Sequence, residues 1–344
     1  MMKFNTKCVH GSGKPDSTGA ISPAIYMSST FTHPGLGETT GFQYTRESNP
    51  TRDRLETLIA GLEEGTDAIA FSSGMAAVDA VFHLFSPGDH VILGDDLYGG
   101  SIRLFTNIYE KNGVEFTYVG TSDLDAVQAA FKPNTKAVYI ETPTNPMMEI
   151  TDVRALSKMA HDRNALVIVD NTFLSPYFQK PLHLGADIVV HSGTKFIGGH
   201  HDVISGFTIV KDDELAAQLR LIYKTVGACL SAFDSWLVIR GIKTLALRME
   251  QHQKNAIALA EWLKQEPKVT KVLFPGLPEH PGYEVNKSQT TGFGGMLSFE
   301  VDSEETAKQV LEGIQLIQFA ESLGGTESLL TYPVTQTHPD LKPV

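Results

Sequence analysis

Seven short apolar runs, at 68–71, 91–94, 116–119, 137–141, 166–170, 188–191 and 207–210, alternate with stretches of helical periodicity such as 75–84, 124–131 and 153–162. Strands that pair in parallel need a crossover of a dozen or more residues between them, and a helix supplies it. The alternation therefore predicts βαβ units and a doubly wound, mostly parallel, seven-stranded sheet of the α/β class. Runs such as Leu166-Val167-Ile168-Val169 carry no polar alternation, as expected of strands covered on both faces.

The pattern changes near residue 211. A long, largely polar helical region at 215–265 leads into turns at Pro275, Gly276, Pro281 and Gly282. Beyond them 295–301 and 315–319 read as strands and 304–312 as a helix, which predicts a small second α/β domain. Residues 1–60 are rich in Gly, Ser, Thr and Pro and show little periodicity, as an arm laid over another subunit would. The expected division is an arm at 1–60, a large domain at 61–235 and a C-terminal α/β domain at 236–344.

The chain carries 40 Asp+Glu against 28 Lys+Arg, a formal net charge of −12, which argues against nucleic acid or an anionic membrane as partner. Its two cysteines, Cys8 and Cys229, provide neither a disulfide framework nor metal-ligand spacing. No apolar run is long enough to span a bilayer, and the first residues lack the apolar core of a secretory leader. A reduced, cytoplasmic location is expected.

The run at 188–191 delivers Ser192 and Thr194 directly ahead of Lys195, in a loop that continues through Gly198 and Gly199. A lysine becomes a nucleophile near neutral pH when its ammonium is partly desolvated. Hydroxyls beside it can hold a phosphate, and lysine plus phosphate cradle points to pyridoxal phosphate carried as a Schiff base.

In open α/β sheets ligands collect beyond the carboxyl ends of the strands, and further polar residues stand at such ends. Ser73, Gly74 and Met75 open a helix after 68–71 and can aim backbone N–H groups at an anion, although a plain Ser N-cap reads the same way. Asp170 ends an otherwise apolar run, where it could pair with a protonated pyridine nitrogen or with a structural cation. Asn145 could donate to a phenolic oxygen or simply make an Asn-Pro turn. Tyr98 could stack on an aromatic cofactor or pack half-buried. Their convergence on the strand ends of one sheet favours the cofactor reading. His200 and His201 are adjacent and lack a third ligand at zinc spacing, so no metal is expected.

The chain resembles the Cys/Met-metabolism, or transsulfuration, family of fold-type-I pyridoxal-phosphate enzymes. The likeness rests on Y-T-R-E-S-N-P-T-R (44–52), F-S-S-G-M-A-A (71–77), D-D-L-Y-G-G (95–100), E-T-P-T-N-P (141–146), V-D-N-T-F (169–173), H-S-G-T-K-F-I-G-G-H (191–200) and E-S-L-G-G-T-E-S-L (321–329). It implies that Lys195 binds the cofactor covalently and shuttles protons, that Asp170 pairs with the pyridine nitrogen and that Tyr98 stacks on the ring. It implies further that Gly74, Met75, Ser192 and Thr194 hold the phosphate. Tyr44 and Arg46 match a pair that reaches the phosphate of the neighbouring subunit, so a homodimer with shared sites, assembled into a homotetramer, is expected.

Within the family Glu321, followed by Ser322, matches the glutamate of cystathionine γ-synthases and γ-lyases, and Arg103 matches an arginine that meets the far end of the substrate. Gly100 argues against methionine γ-lyase activity, and T-Y-P-V-T-Q-T-H (331–338) resembles γ-synthases that use an O-acylhomoserine. Gln43, in contrast, stands where γ-specific enzymes often carry an acidic residue. The family runs on past Val344 to a strand whose arginine binds the substrate carboxylate, so a chain ending there is expected to be incomplete, and an end after Pro339 to expose a sheet edge. The expected activity is cystathionine γ-synthesis from small amino-acid substrates. The alternatives are a cystathionine β- or γ-lyase, or a cofactor-binding protein with weak catalysis and an interaction role.

Overall fold

A computed structural model describes residues 2–336; the expectation about Pro339, the end of the 331–338 motif and the last residues of the C-terminal segment lie outside them. The centre is a seven-stranded sheet of β1 (Asp67–Phe71), β2 (His90–Gly94), β3 (Glu115–Val119), β4 (Thr135–Glu141), β5 (Leu166–Asp170), β6 (Ile188–Ser192) and β7 (Gly206–Val210), in the order β1-β7-β6-β5-β4-β2-β3. All pairings are parallel except those of β7, which runs antiparallel to both β1 and β6. The reversal has a local cause. β6 and β7 are joined by a turn segment without a crossover helix, and that segment carries Lys195.

Alternate residues of each strand feed two different cores, which is why the strands read as unbroken apolar runs. On one face lie Ala68, Ala70, Val167, Val169, Val189 and Ile209, packed on Leu55, Ile59 and Leu62 of the helix Pro50–Glu63 and on Val238, Ile239 and Ile242 of Ala232–Ile242. On the other lie Ile69, Phe71, Ile168, Ile188 and Val190, packed on Val78, Val81 and Phe82 of Gly74–Phe82 and on Leu219 and Tyr223 of Asp213–Val226. At roughly 1.5–3 kcal/mol per fully buried large apolar side chain, these two layers are the main source of stability.

Three local readings change. The region read as one helix at 215–265 is three, Asp213–Val226, Ala232–Ile242 and Leu245–Leu263. The first ends at Gly227, whose φ of 84° forms a left-handed cap that favours glycine. A strand at Val269–Leu273, absent from the sequence reading, pairs antiparallel with Ser298–Val301 over a small core of Ala256, Ala260, Phe274 and Leu277. The segment 1–60 contains two helices, Phe4–His10 and the start of Pro50–Glu63, the latter capped by the Asn49 side chain with Pro50 at its first position. Between them the chain holds no helix and exposes Ile21, Met27 and Leu36. No helix among the described residues is long and apolar enough to cross a membrane.

Candidate active site

Because β1 and β6 both run antiparallel to β7, they are parallel to each other, and their carboxyl ends meet at one edge: Phe71 and Ser192 are both in register with Gly206. The ends of β2, β4 and β5 open on the same edge. The sheet thus gathers Ser73, Tyr98, Asp170 and Ser192 from four separate sequence motifs.

The first turn of Gly74–Phe82 forms a small anion cradle. The Ser73 hydroxyl accepts from Ala76 N at 3.0 Å and caps the helix, leaving the backbone N–H groups of Gly74 and Met75 to point out of its N-terminus. Gly74 is required there by space. A Cβ would stand 2.9 Å from Ser192 Cβ and 3.0 Å from Ser192 Oγ, filling the cradle. Thr194 turns its hydroxyl to Ser205, whose backbone N donates to it at 3.1 Å. Tyr98 stands across the opening, 39% exposed, with its ring beside Gly100 and the Met75 sulfur.

Asp170 accepts from Thr172 N at 3.0 Å and from the Thr172 hydroxyl at 2.5 Å, and Ser192 N in turn donates to that hydroxyl at 2.8 Å. Among the described residues no cationic side chain lies within ion-pair distance of it. Its register partner on β4 is Glu141, a second buried carboxyl that accepts from Tyr98 N at 3.0 Å. Burial raises both, and Glu141 is raised well above the usual carboxylate range, by burial first and by the neighbouring Asp170 second. The two hydrogen bonds from Thr172 help keep the charge on Asp170, so of the pair Glu141 is driven more strongly toward its neutral form.

Lys195 is half-buried and donates to Ser322 Oγ at 3.0 Å. Burial lowers its affinity for a proton, while Glu321 and Asp170 oppose that shift. The turn that bears it is fixed from behind by Arg248, a buried guanidinium that donates to Phe196 O at 2.7 Å, Gly241 O at 3.0 Å and Thr244 Oγ1 at 3.1 Å. A cluster of this kind, a desolvated amine with a nearby unpaired carboxylate and an anion cradle, suits covalent amine chemistry on a phosphorylated aromatic aldehyde.

The sequence matches the Cys/Met metabolism PLP-dependent enzyme family over residues 5–344. The chain belongs to that family. It is 49% identical over 339 residues to the cystathionine beta-lyase of Lactococcus lactis subsp. cremoris (strain MG1363), covering 98% of this chain and 89% of that one. It is 50% identical over 332 residues to the cystathionine gamma-synthase of Haemophilus influenzae, covering 96% of this chain and 86% of that one. Its fold superposes with a TM-score of 0.97 and 47% identity on the structure of cystathionine gamma-lyase from Lactobacillus plantarum complexed with L-serine, covering 99% of this chain and 90% of that chain. The protein is therefore a pyridoxal-phosphate-dependent enzyme of sulfur amino-acid metabolism. The residues fit that cofactor, since Gly74 brings the helix N-terminus close against the Ser192 hydroxyl with no side chain between them, and Asp170 has no cation at ion-pair distance among the described residues.

The remaining residues expected in the site fall into two groups. Asn145 is half-buried in the loop after β4, and Arg103 is exposed on the helix Gly99–Leu104 beyond β2. Tyr44 and Arg46 do not join the cluster within this chain. The Arg46 guanidinium donates to Lys224 O and lies 5.5 Å from the Tyr44 ring centroid. Glu141, Thr172 and Arg248 escaped the sequence reading. Glu141 had a signal, since it ends an apolar run in the same way as Asp170, whereas a lone arginine within a helix such as Arg248 has none.

Proposed function

We propose that this family member makes cystathionine, replacing the γ-substituent of an O-acylhomoserine with the sulfur of cysteine. The run T-Y-P-V-T-Q-T-H (331–338), whose likeness is to γ-synthases that use an O-acylhomoserine, supports that reading over a lyase. Glu321, a carboxylate beside Lys195, supplies an anionic partner for a distal amino group, which the incoming cysteine of γ-replacement and cystathionine itself both carry. Bound pyridoxal phosphate supplies an electron sink that stabilises negative charge at the substrate α-carbon.

The geometry supports the following residue roles. Lys195 would hold the cofactor through its Nζ and would move protons at that atom, helped by the burial that favours its neutral form. Asp170 would pair with the pyridine nitrogen, Tyr98 would cover the ring, and Asn145 would donate to the phenolic oxygen. Gly74 and Met75, with Ser192 and Thr194, would take the phosphate; Ser73 orders that turn. Ser322 steers the lysine, and Arg103 meets the distal end of the substrate. Two copies share their sites through Tyr44 and Arg46, pair again into a tetramer, and divide into arm, large domain and C-terminal domain as read from sequence.

A second reading, cleavage of cystathionine to a 2-oxo acid, ammonia and a thiol, draws on the names of the Lactococcus and Lactobacillus relatives. Product analysis separates the two. Cystathionine formed from O-acylhomoserine and cysteine supports the first, whereas a 2-oxo acid released from cystathionine, with no condensation product, replaces it with the second.

A further inference from the structure

The wall of the site that carries Glu321 and Ser322 is a strap, residues 320–328, joining the strands Gln318–Phe319 and Leu329–Leu330 of a two-residue parallel ladder. Its ends are pinned by Gln318 N to Ser328 O at 3.0 Å and Ala320 N to Leu330 O at 3.2 Å. Between them, among the described residues, the backbone of 321–327 makes no backbone–backbone hydrogen bond. A segment of this kind has little local stability of its own, and its position depends on what it is seated against.

It is seated on the turn that bears Lys195. Gly324, with a φ of 82°, packs so closely that a Cβ would stand 2.5 Å from Phe196 N and 2.8 Å from Lys195 C. Gly325, the one buried residue of the segment, faces the ring of His201, which a Cβ at 325 would overlap. Glu327 then reaches back, its Oε2 at 3.7 Å from His201 Nε2. The residue His201 faces solvent like its neighbours Asp202 and Ile204, but its side chain is only 24% exposed where it meets the strap. Its own backbone is left-handed, with a φ of 53°, a conformation rare outside glycine, in which Asn, Asp and His are the enriched side chains. The turn is rigid from behind, because Arg248 grips Phe196 O. His201 is thus a fixed post on one side of a loosely bonded strap.

We infer that His201 is a positioning residue for the reaction, the seat on which the strap rests so that Glu321 and Ser322 stand over Lys195. This inference extends the proposed function, because it assigns to His201 the geometry of the substrate-facing wall. The mechanism is steric. The ring fixes the height of the strap through Gly325, and Glu327 closes over its other side.

The test uses the holoenzyme and three variants. His201→Asn keeps a residue that tolerates the left-handed turn but removes the ring. Gly325→Ala, at a position without positive φ, keeps the ring and forces the strap off it. The double variant gives the added methyl the room vacated by the ring. Each single variant should raise KM for the amino-acid substrate about tenfold and, because Ser322 moves with the strap, lower kcat by up to about tenfold, with the cofactor absorbance band within about twofold of the parent. Each should also speed cleavage after Glu321 by a glutamate-specific protease. In the double variant the methyl should add little to the effect of His201→Asn, the non-additivity expected of two residues in contact.

Parental KM and parental cleavage rate in His201→Asn would overturn the inference, as would strict additivity in the double variant. A parent enzyme that binds cofactor yet turns over no sulfur amino acid would sink the functional proposal instead. The cleavage rates would still decide the role of His201.

Discussion

Lys195 Nζ and Ser322 Oγ lie 3.0 Å apart although 127 positions separate the two residues in the chain. The contact gives the amine a fixed partner when it is not otherwise engaged. Ser322 sits at a φ of 87°, so alanine there carries backbone strain as well as the loss of the hydroxyl. Glycine removes the hydroxyl without the strain. Ser322→Gly is expected to lower kcat about tenfold, from the loss of one positioned hydrogen bond, with cofactor affinity nearly unchanged. Steady-state kinetics beside a cofactor titration check this, and an unchanged kcat would remove Ser322 from the mechanism.

Glu321 is the leading influence that keeps Lys195 protonated against the pull of burial. Glu321→Gln removes that charge and leaves desolvation opposed only by Asp170. The lysine should then lose its proton at a lower pH, and more of it should be neutral near pH 7. The pH dependence of pyridoxal-phosphate capture by the apoenzyme, followed as growth of its absorbance band, should shift toward acid. A shift toward alkali would contradict the assigned geometry.

Gly74→Ala places a methyl 2.9 Å from Ser192 Cβ, inside the proposed phosphate cradle. The fold should survive, because alanine is a better helix former and the position starts a helix. Cofactor affinity should fall about tenfold or more, as expected when an anion loses its close approach to backbone N–H groups. Equilibrium titration of the apoenzyme with pyridoxal phosphate measures it. Tight binding by the variant would move the cradle elsewhere.

What could be read from sequence depended on whether a residue's burial matched its chemistry. β5 is legible because every residue ahead of Asp170 is apolar, so the polar residue at the end stands out, and β6 is legible from Ile188-Val189-Val190 although His191 precedes Ser192. The helix Pro50–Glu63 is far less so, despite its Asn49 cap. Its inner face includes Arg52, Glu56 and Glu63, all buried, and these charges break the apolar stripe. They are tolerated because each finds a partner: Arg52 donates to Leu230 O at 3.1 Å, Glu56 accepts from Ala70 N at 3.0 Å, and Glu63 meets His191 at 2.6 Å. Such partners come from other elements of the fold and leave no local trace. The seating of the strap on His201 is of the same kind, since residues 201, 325 and 327 share no pattern. Lys195 and Asp170 could be found from their neighbours in the chain, but the wall that completes their site belongs to tertiary structure.

His252 offers a pH-dependent test of packing behind the Lys195 turn. Its ring lies 5.3 Å from that of Phe196, and burial, with help from the Arg248 charge, holds it down at about 4 against an ordinary 6.5. Between those values the unfolded chain binds a proton that the folded chain refuses. Stability is therefore full above pH 6.5 and declines as the pH falls toward 4. His252→Gln should flatten that decline by on the order of 1–2 kcal/mol, the full linkage being reduced by partial solvent exposure. Urea unfolding at pH 7 and pH 5 measures the difference, and equal slopes in parent and variant would show that His252 titrates normally.

Arg46 lies over the Tyr44 ring and donates to Lys224 O at the end of the helix Asp213–Val226, and neither residue joins the Lys195 cluster of its own chain. If they serve the site of a neighbouring copy, Lys195→Ala and Arg46→Ala are defects in different halves of one site. Each variant alone should be nearly inactive. In a mixed dimer the two lesions fall together in one site and leave the other intact. Random association of equal amounts should therefore restore about a quarter of the parental activity, one intact site in each of half the dimers. Co-expression of the two chains, followed by assay at matched cofactor saturation, makes the measurement. Recovery at that level requires the shared site, whereas activity no greater than the average of the separate variants would place Arg46 outside it.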